Sequence, residues 1–432
     1  MNNQLQTSLW SLLDSLKGSP CLPQDTLDAL TLLALVAKQA PEDFMAIYNT
    51  GANHQRDELQ NLVRKLADGA IAHVYEQTQI GRVPPNVWQK LIYFIKENMG
   101  YLHELAGAIR ESLCAITPAT APEIGSSESV KNLFTALVGD ISNKAFYDGS
   151  AGLAAIAVAV QPQKMYLEEI NASTWAISYR LLLLQNIAPS FSNGDSLINS
   201  AYPELKVDVA AMQPPFGYRL SNEHLERLVT NKMLAVDAGK KLPTSAGDVV
   251  WIQQALGKIN AQGKAYVLLP QGWLFRGGYD AKVRDYLLDE DLIESIVALP
   301  EGLLHSTAIP TSILVLNKAK QKGNPIHFVD ASGLGKKDKR LTVLSTAEIE
   351  KIASLAKGKA ENSPLYKAVY IPEIRRQSAK GDGNNLSVSQ FFISETHFEL
   401  PSVEEELAKL KKCQTEFKQA QAKLNRLLNI TE

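Results

Sequence analysis

The sequence predicts an α/β protein in which a helical N-terminal domain precedes a doubly wound parallel sheet and a helical tail closes the chain. Three observations carry this reading. Apolar residues recur at three- and four-residue spacing up to about Ile116. From about Lys144 short apolar runs alternate with amphipathic stretches, the pattern of strands joined by crossover helices. After about Lys357 the chain turns polar and irregular, then ends in a stretch with an interrupted helical stripe.

Taken in order, "QDTLDALTLLALVAKQA" (Gln24–Ala40) and "DELQNLVRKLADGAIAHVYEQ" (Asp57–Gln77) anchor a helical domain over residues 1–116. "TPATAPEIGSS" (Thr117–Ser127), rich in Pro, Ala, Thr and Ser, opens a linker or crossover over 117–143. The α/β domain then spans 144–356. Its strand candidates are "AFYDG" from Ala145, "KMYLEEI" from Lys164, a short strand before "NGDS", "VDVAAM" from Val207, "KAYVLLP" from Lys264, "LIESIVALP" from Leu292 and "SILVLNK" from Ser312. Helices are expected over Asn171–Ile187 (with Asn171 as N-cap), Gly247–Ile259 and Ala281–Glu290. An irregular segment follows over 357–402, and residues 403–432 form a C-terminal helix for partner docking. Its stripe is Leu407, Leu410, Phe417, Leu424, Leu427 and Leu428.

With 432 residues the chain is too long for one core, and its 45% hydrophobic and 21% charged content is that of an ordinary globular protein. The formal net charge of −2 means that a polyanionic partner has to be met by local basic patches. Cys21, Cys114 and Cys413 are far apart, which argues against a disulfide framework or a zinc site and fits a reducing cytoplasm. "MNNQLQTSLWSLL" lacks the basic start and apolar core of a signal peptide. The longest apolar runs, such as "AGLAAIAVAV" (Ala151–Val160), fall short of the roughly 20 residues of a membrane helix.

The chemistry gathers at strand ends, where ligands of doubly wound sheets bind. "YDGSAG" (Tyr147–Gly152) is a glycine-rich turn that either admits a ligand to backbone N–H groups or is simply tight. Glu168-Glu169 ends the second strand about 20 residues on, where an acid binds a ribose diol in dinucleotide folds; a solvated acidic pair is the alternative. Asp195 in "NGDS" could equally cap a turn. "VDVAAMQPPFGYRL" (Val207–Leu220) is a buried strand stopped by two prolines, with a carboxamide before them and a ring after them. Arg276-Gly277-Gly278 is a candidate for DNA phosphate, whereas "GLGKKDKR" (Gly333–Arg340) lacks phosphate-loop spacing and reads as a solvated basic loop. The seven histidines form no ligand-like cluster, so no metal is expected, and Trp175 and Trp251 read as core.

Together these segments resemble the modification subunit of type I restriction–modification systems, a family of adenine-N6 DNA methyltransferases. "SLWSLLDSLKGS" (Ser8–Ser19), "MYLEEIN", "GDSL", "VLLPQGWLFRGGYDAKVRDYLLDEDLIESIVALPEGLLHSTAIPTSILVLNK" (Val267–Lys318) and "NLSVSQFF" (Asn385–Phe392) carry the resemblance. It implies a seven-stranded, Rossmann-like S-adenosylmethionine-dependent methyltransferase sheet and S-adenosylmethionine as cofactor. It also implies DNA, a specificity subunit that docks the helical tail, and a restriction subunit as partners. Carried over, Asp148, Gly149 and Gly152 fall in the cofactor turn, Glu169 on the ribose hydroxyls and Asp195 near the cofactor adenine. Gln213, Pro214, Pro215 and Phe216 stand where the family has Asn-Pro-Pro-Phe. There the amide oxygen and the next backbone carbonyl accept hydrogen bonds from the amino group of a flipped adenine, and the ring stacks on the base. The family also keeps the Arg276-Gly277-Gly278 stretch.

The chain departs from the family pattern at three points. The family turn reads Asp-Pro-x-x-Gly-x-Gly, and here it ends in Ala154, whose methyl is expected to crowd the cofactor. An aromatic-Thr-Pro segment that closes over the cofactor aligns with "EIGSSESV" (Glu123–Val130). Gln213 replaces Asn and adds a methylene. Two readings therefore stand: an adenine-N6 methyltransferase subunit, or a catalytically impaired relative with weak or lost cofactor binding that serves as a DNA-associated assembly or regulatory subunit. A methyltransferase for protein glutamine or RNA shares the Pro-Pro-aromatic loop, but the match over Val267–Lys318 goes against it.

Overall fold

The computed structural model describes residues 3–427 except 20, 68–71, 79, 117–123, 240, 306, 340, 360–361, 379–383 and 393–401. Seven helices come first: α1 (Asn3–Ser15), α2 (Pro23–Gln39), α3 (Pro41–Tyr48), α4 (Ala52–Leu66), α5 (Ala72–Glu76), α6 (Pro85–Glu97) and α7 (Leu102–Ile116). α2 is buried from Asp25 to Ala37, and packs against α6, α7 and the sheet helix α10 (Ala172–Leu184). Pro23 at its first turn has no N–H to orphan there. The run read as one helical stretch over Asp57–Gln77 holds two helices, α4 and α5.

The sheet section begins with α8 (Glu128–Val138), β1 (Ala145–Asp148), α9 (Ala155–Val160), β2 (Lys164–Glu169), α10, β3 (Ser190–Asn193) and β4 (Val207–Met212). It continues with α11 (Asn222–Thr230), α12 (Gly247–Lys258), β5 (Ile259–Pro270), α13 (Tyr279–Asp289), β6 (Ile293–Ala298) and β7 (Thr311–Asn317). β8 (Ile326–Asp330), β9 (Lys336–Asp338), β10 (Leu341–Val343), α14 (Thr346–Ala356), β11 (Tyr366–Val369) and α15 (Ile371–Ser378) complete this part. The sheet order is β11-β8-β6-β7-β5-β4-β1-β2-β3, with β9 and β10 apart as a hairpin. β7 and β11 run antiparallel to their neighbours and the other pairings are parallel. The seven contiguous strands β6-β7-β5-β4-β1-β2-β3 are the seven expected from the sequence, and β8 and β11 extend them beyond β6.

Those two strands, the β9–β10 hairpin, helix α8 in the stretch read as a crossover, and helices α11, α14 and α15 are the additions; β11 and α15 fall within residues 357–402, which corrects the expectation that this segment is irregular throughout. β11 has two exposed positions among its four residues and sits at the sheet edge, so it lacks the apolar run that marks a buried strand. α8 is announced by Ser127, whose hydroxyl accepts from the Val130 N–H at 3.4 Å. Asn171 caps α10 through Thr174 as expected. The basic run Lys336–Lys339 lies on β9 and its turn and is exposed, while Arg340 and Glu123 lie outside the described residues.

The chain divides into two compact units, residues 1–391 and 392–432. The described part of the second is α16 (Val403–Leu427), on which Leu407, Leu410, Phe417 and Leu424 are exposed. Leu428 and the side chain of Leu427, the last of the expected stripe, lie outside what is described. Among the described residues no helix is long and apolar enough to cross a membrane.

Within the first unit a buried ion pair joins the N-terminal helices to the sheet. Arg180 of α10, fully buried, donates to Asp28 Oδ1 at 2.8 Å, to Thr31 Oγ1 at 2.8 Å and to the Val74 carbonyl at 2.9 Å. Truncating one partner strands the other charge in the core. Arg180→Ala is expected to cost about 3–5 kcal/mol in urea unfolding; a loss below about 1 kcal/mol would show that the helices hold to the sheet without it.

Candidate active site

The parallel direction of β1 to β4 puts their carboxyl ends on one side, and the order 4-1-2-3 makes the β1/β4 boundary a switch point where a crevice must open. A cavity of about 380 Å³ lies there. Asp148, Gly149, Gly152, Glu169, Asp195, Gln213 and Pro215 all line it. Pro214 is buried and Phe216 leans half-buried on the hydrophobic core; neither lines the cavity. Arg276, Gly277 and Gly278 are also absent from the lining.

The turn after β1 is tightly determined. The Gly152 N–H donates to Glu169 Oε2 at 2.9 Å, and the Leu153 N–H donates to the Ile124 carbonyl at 2.8 Å. Gly152 has φ +52°, and a Cβ there would collide with the Ile124 carbonyl, so this glycine is required sterically. Arg110 of α7 completes the clamp, its Nε donating to the Leu153 carbonyl at 2.9 Å. Ala154 has φ +55° and is fully buried in the core, outside the cavity lining. The expected crowding of a ligand by its methyl is therefore corrected: the cost of alanine here is conformational, about 1 kcal/mol for a left-handed residue.

The acids follow one local rule. Asp148 Oδ1 accepts from the Ser150 N–H at 2.9 Å, Glu169 Oε1 from Asn171 N–H at 2.8 Å, and Asp195 Oδ1 from Leu197 N–H at 3.0 Å. In each case the donor is two residues downstream, an Asx-type closure of the strand end. Burial pushes Asp148 up to about 7, against the Ser150 N–H and with help from the Glu169 charge. Burial also raises Glu169, opposed by the N–H groups of Asn171 and Gly152. No lysine or arginine is among the cavity's described lining residues, so the cavity is acidic.

Glu168 is not half of a solvated pair. It is fully buried, where it accepts from Tyr147 Oη at 2.5 Å, Ser200 Oγ at 2.8 Å and the Ala201 N–H at 2.7 Å. Consecutive strand residues point to opposite faces, so one glutamate enters the core and the next the cavity.

Four contacts were hidden from the sequence. Asp195 Oδ2 lies 2.8 Å from His224 Nε2, and the same nitrogen is 2.9 Å from Tyr218 Oη. Ser221, the N-cap of α11, holds His224 Nδ1 at 2.5 Å. Gln213 Oε1 accepts from Ser126 Oγ at 2.9 Å. Trp251, expected in the core, is buried but lines the cavity, and its Nε1 has no partner among the described residues. Away from the cavity, Arg276 donates to Asp280 at 2.6 Å and Asp248 at 2.5 Å, so two carboxylates balance its charge; a Cβ on Gly277 or Gly278 would meet nothing within 4 Å.

The N-6 DNA methylase family model matches residues 128–398. The chain is 29% identical over 277 residues to the type I restriction enzyme MpnII methylase subunit of Mycoplasma pneumoniae, a match covering 61% of this chain and 50% of that protein. It is 32% identical over 233 residues to the MjaVIII methylase subunit of Methanocaldococcus jannaschii, covering 50% of this chain and 39% of that one. These matches thus span half or less of the relatives' lengths. The fold is similar to the crystal structure of a type I restriction-modification methyltransferase subunit from Streptococcus thermophilus, with TM-score 0.74, 19% identity, and 90% and 99% of the two chains covered.

The raised carboxyl of Asp148 has a measurable consequence. Its folded value of about 7 exceeds its ordinary 3.8, so between these values the folded protein holds a proton that the unfolded chain has lost. Stability from this group is present below about pH 4 and is lost as pH rises through about 7, at up to about 1.4 kcal/mol per pH unit. Asp148→Asn is expected to flatten the decline in thermal stability of the ligand-free protein between pH 5 and 7; an unchanged slope would place the titration elsewhere.

Proposed function

Because the chain belongs to the N-6 DNA methylase family, we propose that it is the modification subunit of a type I restriction–modification system, transferring a methyl group to adenine N6 in DNA together with a specificity subunit. The observation that carries the reading is the convergence of Asp148, Gly152, Glu169, Asp195 and Gln213 on one cavity at the carboxyl ends of β1 to β4.

S-adenosylmethionine fits the donor set. The cavity, at about 380 Å³, falls in the volume range of small-molecule pockets, about 300–1,000 Å³. The cationic groups of S-adenosylmethionine suit an acidic cavity, and its ribose hydroxyls and adenine amino group are donors for carboxylates. Glu169 would hold the ribose hydroxyls, Asp195 the adenine end and Asp148, with Gly149 and Gly152, the turn side. When bound, the cofactor supplies the methyl group.

The chain's own residues do the rest. Adenine must leave the duplex stack to be reached. The amino group of the flipped base then donates to Gln213 Oε1 and to the Pro214 carbonyl, which draws its nitrogen lone pair out of conjugation with the ring. Pro214 and Pro215 stiffen the loop, and the Phe216 ring offers a stacking face once turned from the core. Arg276 braces the 276–278 loop on Asp248 and Asp280, leaving the N–H groups of Gly277 and Gly278 for DNA phosphate. The exposed apolar residues of α16 suit docking on the specificity subunit, and a restriction subunit completes the system.

The rival reading is an impaired subunit that retains assembly and DNA association. Its support is that Gln213 Oε1 and Asp195 Oδ2 are already engaged within the protein. A tritiated-methyl assay with the purified complex and DNA decides. Wild type is expected to label adenine and Gln213→Ala to lose at least about 100-fold in rate, the scale of misplacing a reacting group. A silent wild type would make the impaired reading correct.

Truncation before Val403 is expected to leave a folded chain that no longer co-purifies with the specificity subunit. An intact complex after truncation would assign docking to another surface.

A further inference from the structure

Two of the three departures from the family pattern touch each other. Ser126 belongs to the segment standing where the family has aromatic-Thr-Pro, and its hydroxyl donates to Gln213 Oε1 at 2.9 Å, across 87 residues of chain. Both residues line the cavity, and Ser126 is only 7% exposed. We propose that Ser126 is the positioning residue of Gln213, a hydroxyl pivot that holds the longer carboxamide and lets it turn its oxygen to the base amino group.

The anchor is rigid. The Ile124 carbonyl accepts from Leu153 N–H at 2.8 Å, Ser127 caps α8, and Ser129 Oγ accepts from Leu344 N–H at 3.0 Å. Segment 124–129 is thus tied to the turn after β1, to its own helix and to the strand-end residue Leu344. Glutamine carries one more rotatable bond than asparagine, so it needs such an anchor to present its amide in one place.

The choice of a hydroxyl matters. Serine both donates and accepts, whereas a glutamine amide has a donor end and an acceptor end. Ser126 now donates to Oε1. When the amide turns over, Nε2 donates to Ser126 Oγ and Oε1 is released to accept from an amino group. A hydrogen bond to Ser126 is kept in both orientations, its direction reversing as the serine hydrogen gives up Oε1. Alanine at 126 would lose the anchor in both states.

This inference rests on the reading that Gln213 faces the target base, and its test separates the two. Glutamine side-chain amides are observed by NMR in the full chain labelled with ¹⁵N-glutamine, with the Gln213 resonance identified by its loss in Gln213→Ala. Ser126→Ala is expected to shift that resonance and Ser126→Thr to keep it near its wild-type position. In the complex with specificity subunit and DNA, Ser126→Ala is expected to lower kcat about 10- to 100-fold, the range for a misplaced group. The KM for S-adenosylmethionine should stay within about twofold, and Ser126→Thr should retain most activity. An unmoved Gln213 resonance, or an unchanged kcat with an active wild type, overturns the proposal. A silent wild type whose Gln213 resonance still answers to Ser126 supports the positioning contact and overturns the methyl-transfer reading instead.

Discussion

The turn between β1 and α9 is fixed by hydrogen bonds from three separate parts of the chain, and the shape of the cavity depends on it. Arg110 reaches in from the N-terminal helices, Ile124 from the crossover and Glu169 from the end of β2. None of these groups makes the turn alone. Gly152 supplies the conformation, and its missing Cβ leaves room for the Ile124 carbonyl. The helical region is therefore part of the site's construction. Its other anchor, the buried Arg180–Asp28 pair, joins α10 to α2 and so holds the strand that carries Glu169 against the same helices.

Much of the fold was legible because its strands are short apolar runs and its helices are amphipathic, and both periods survive in sequence. Strands β1 to β7 and helices α10, α12 and α13 follow from that, and Asn171 was legible as the N-cap of α10. What escaped was what periodicity does not encode. β8 and β11 extend the sheet past the expected edge, and α8 begins inside a stretch whose Pro and Ser content suggests a loop. At the site, Asp148, Glu169 and Asp195 were legible as acids at strand ends. The split of Glu168 from Glu169 follows from strand alternation and could have been read from it. Ser126, His224 and the cavity-facing Trp251 were not, since nothing local ties a serine to a glutamine 87 positions on.

The distinction has a physical basis in how the three acids are held. Each accepts from the N–H two residues downstream, so its orientation is settled by the strand end itself and is written in consecutive residues. One oxygen of each is thereby occupied locally. The other oxygens differ: Glu169 Oε2 goes to the Gly152 N–H and Asp195 Oδ2 to His224. The common part of the site is local and the individual part is tertiary.

That division also orders the three departures from the family pattern. Ala154 sits at a backbone position, pays for its left-handed conformation in stability, and keeps its methyl in the core. Its effect is on the fold. Ser126 and Gln213 sit in the cavity wall and bond to each other, so their effects cannot be added as two independent losses. A glutamine placed alone in a site shaped for asparagine would carry an extra methylene with nothing to hold it. A glutamine with Ser126 beside it has a fixed partner at the end of its longer reach. The hydrogen bond between the two changed segments makes them one structural unit rather than two separate changes.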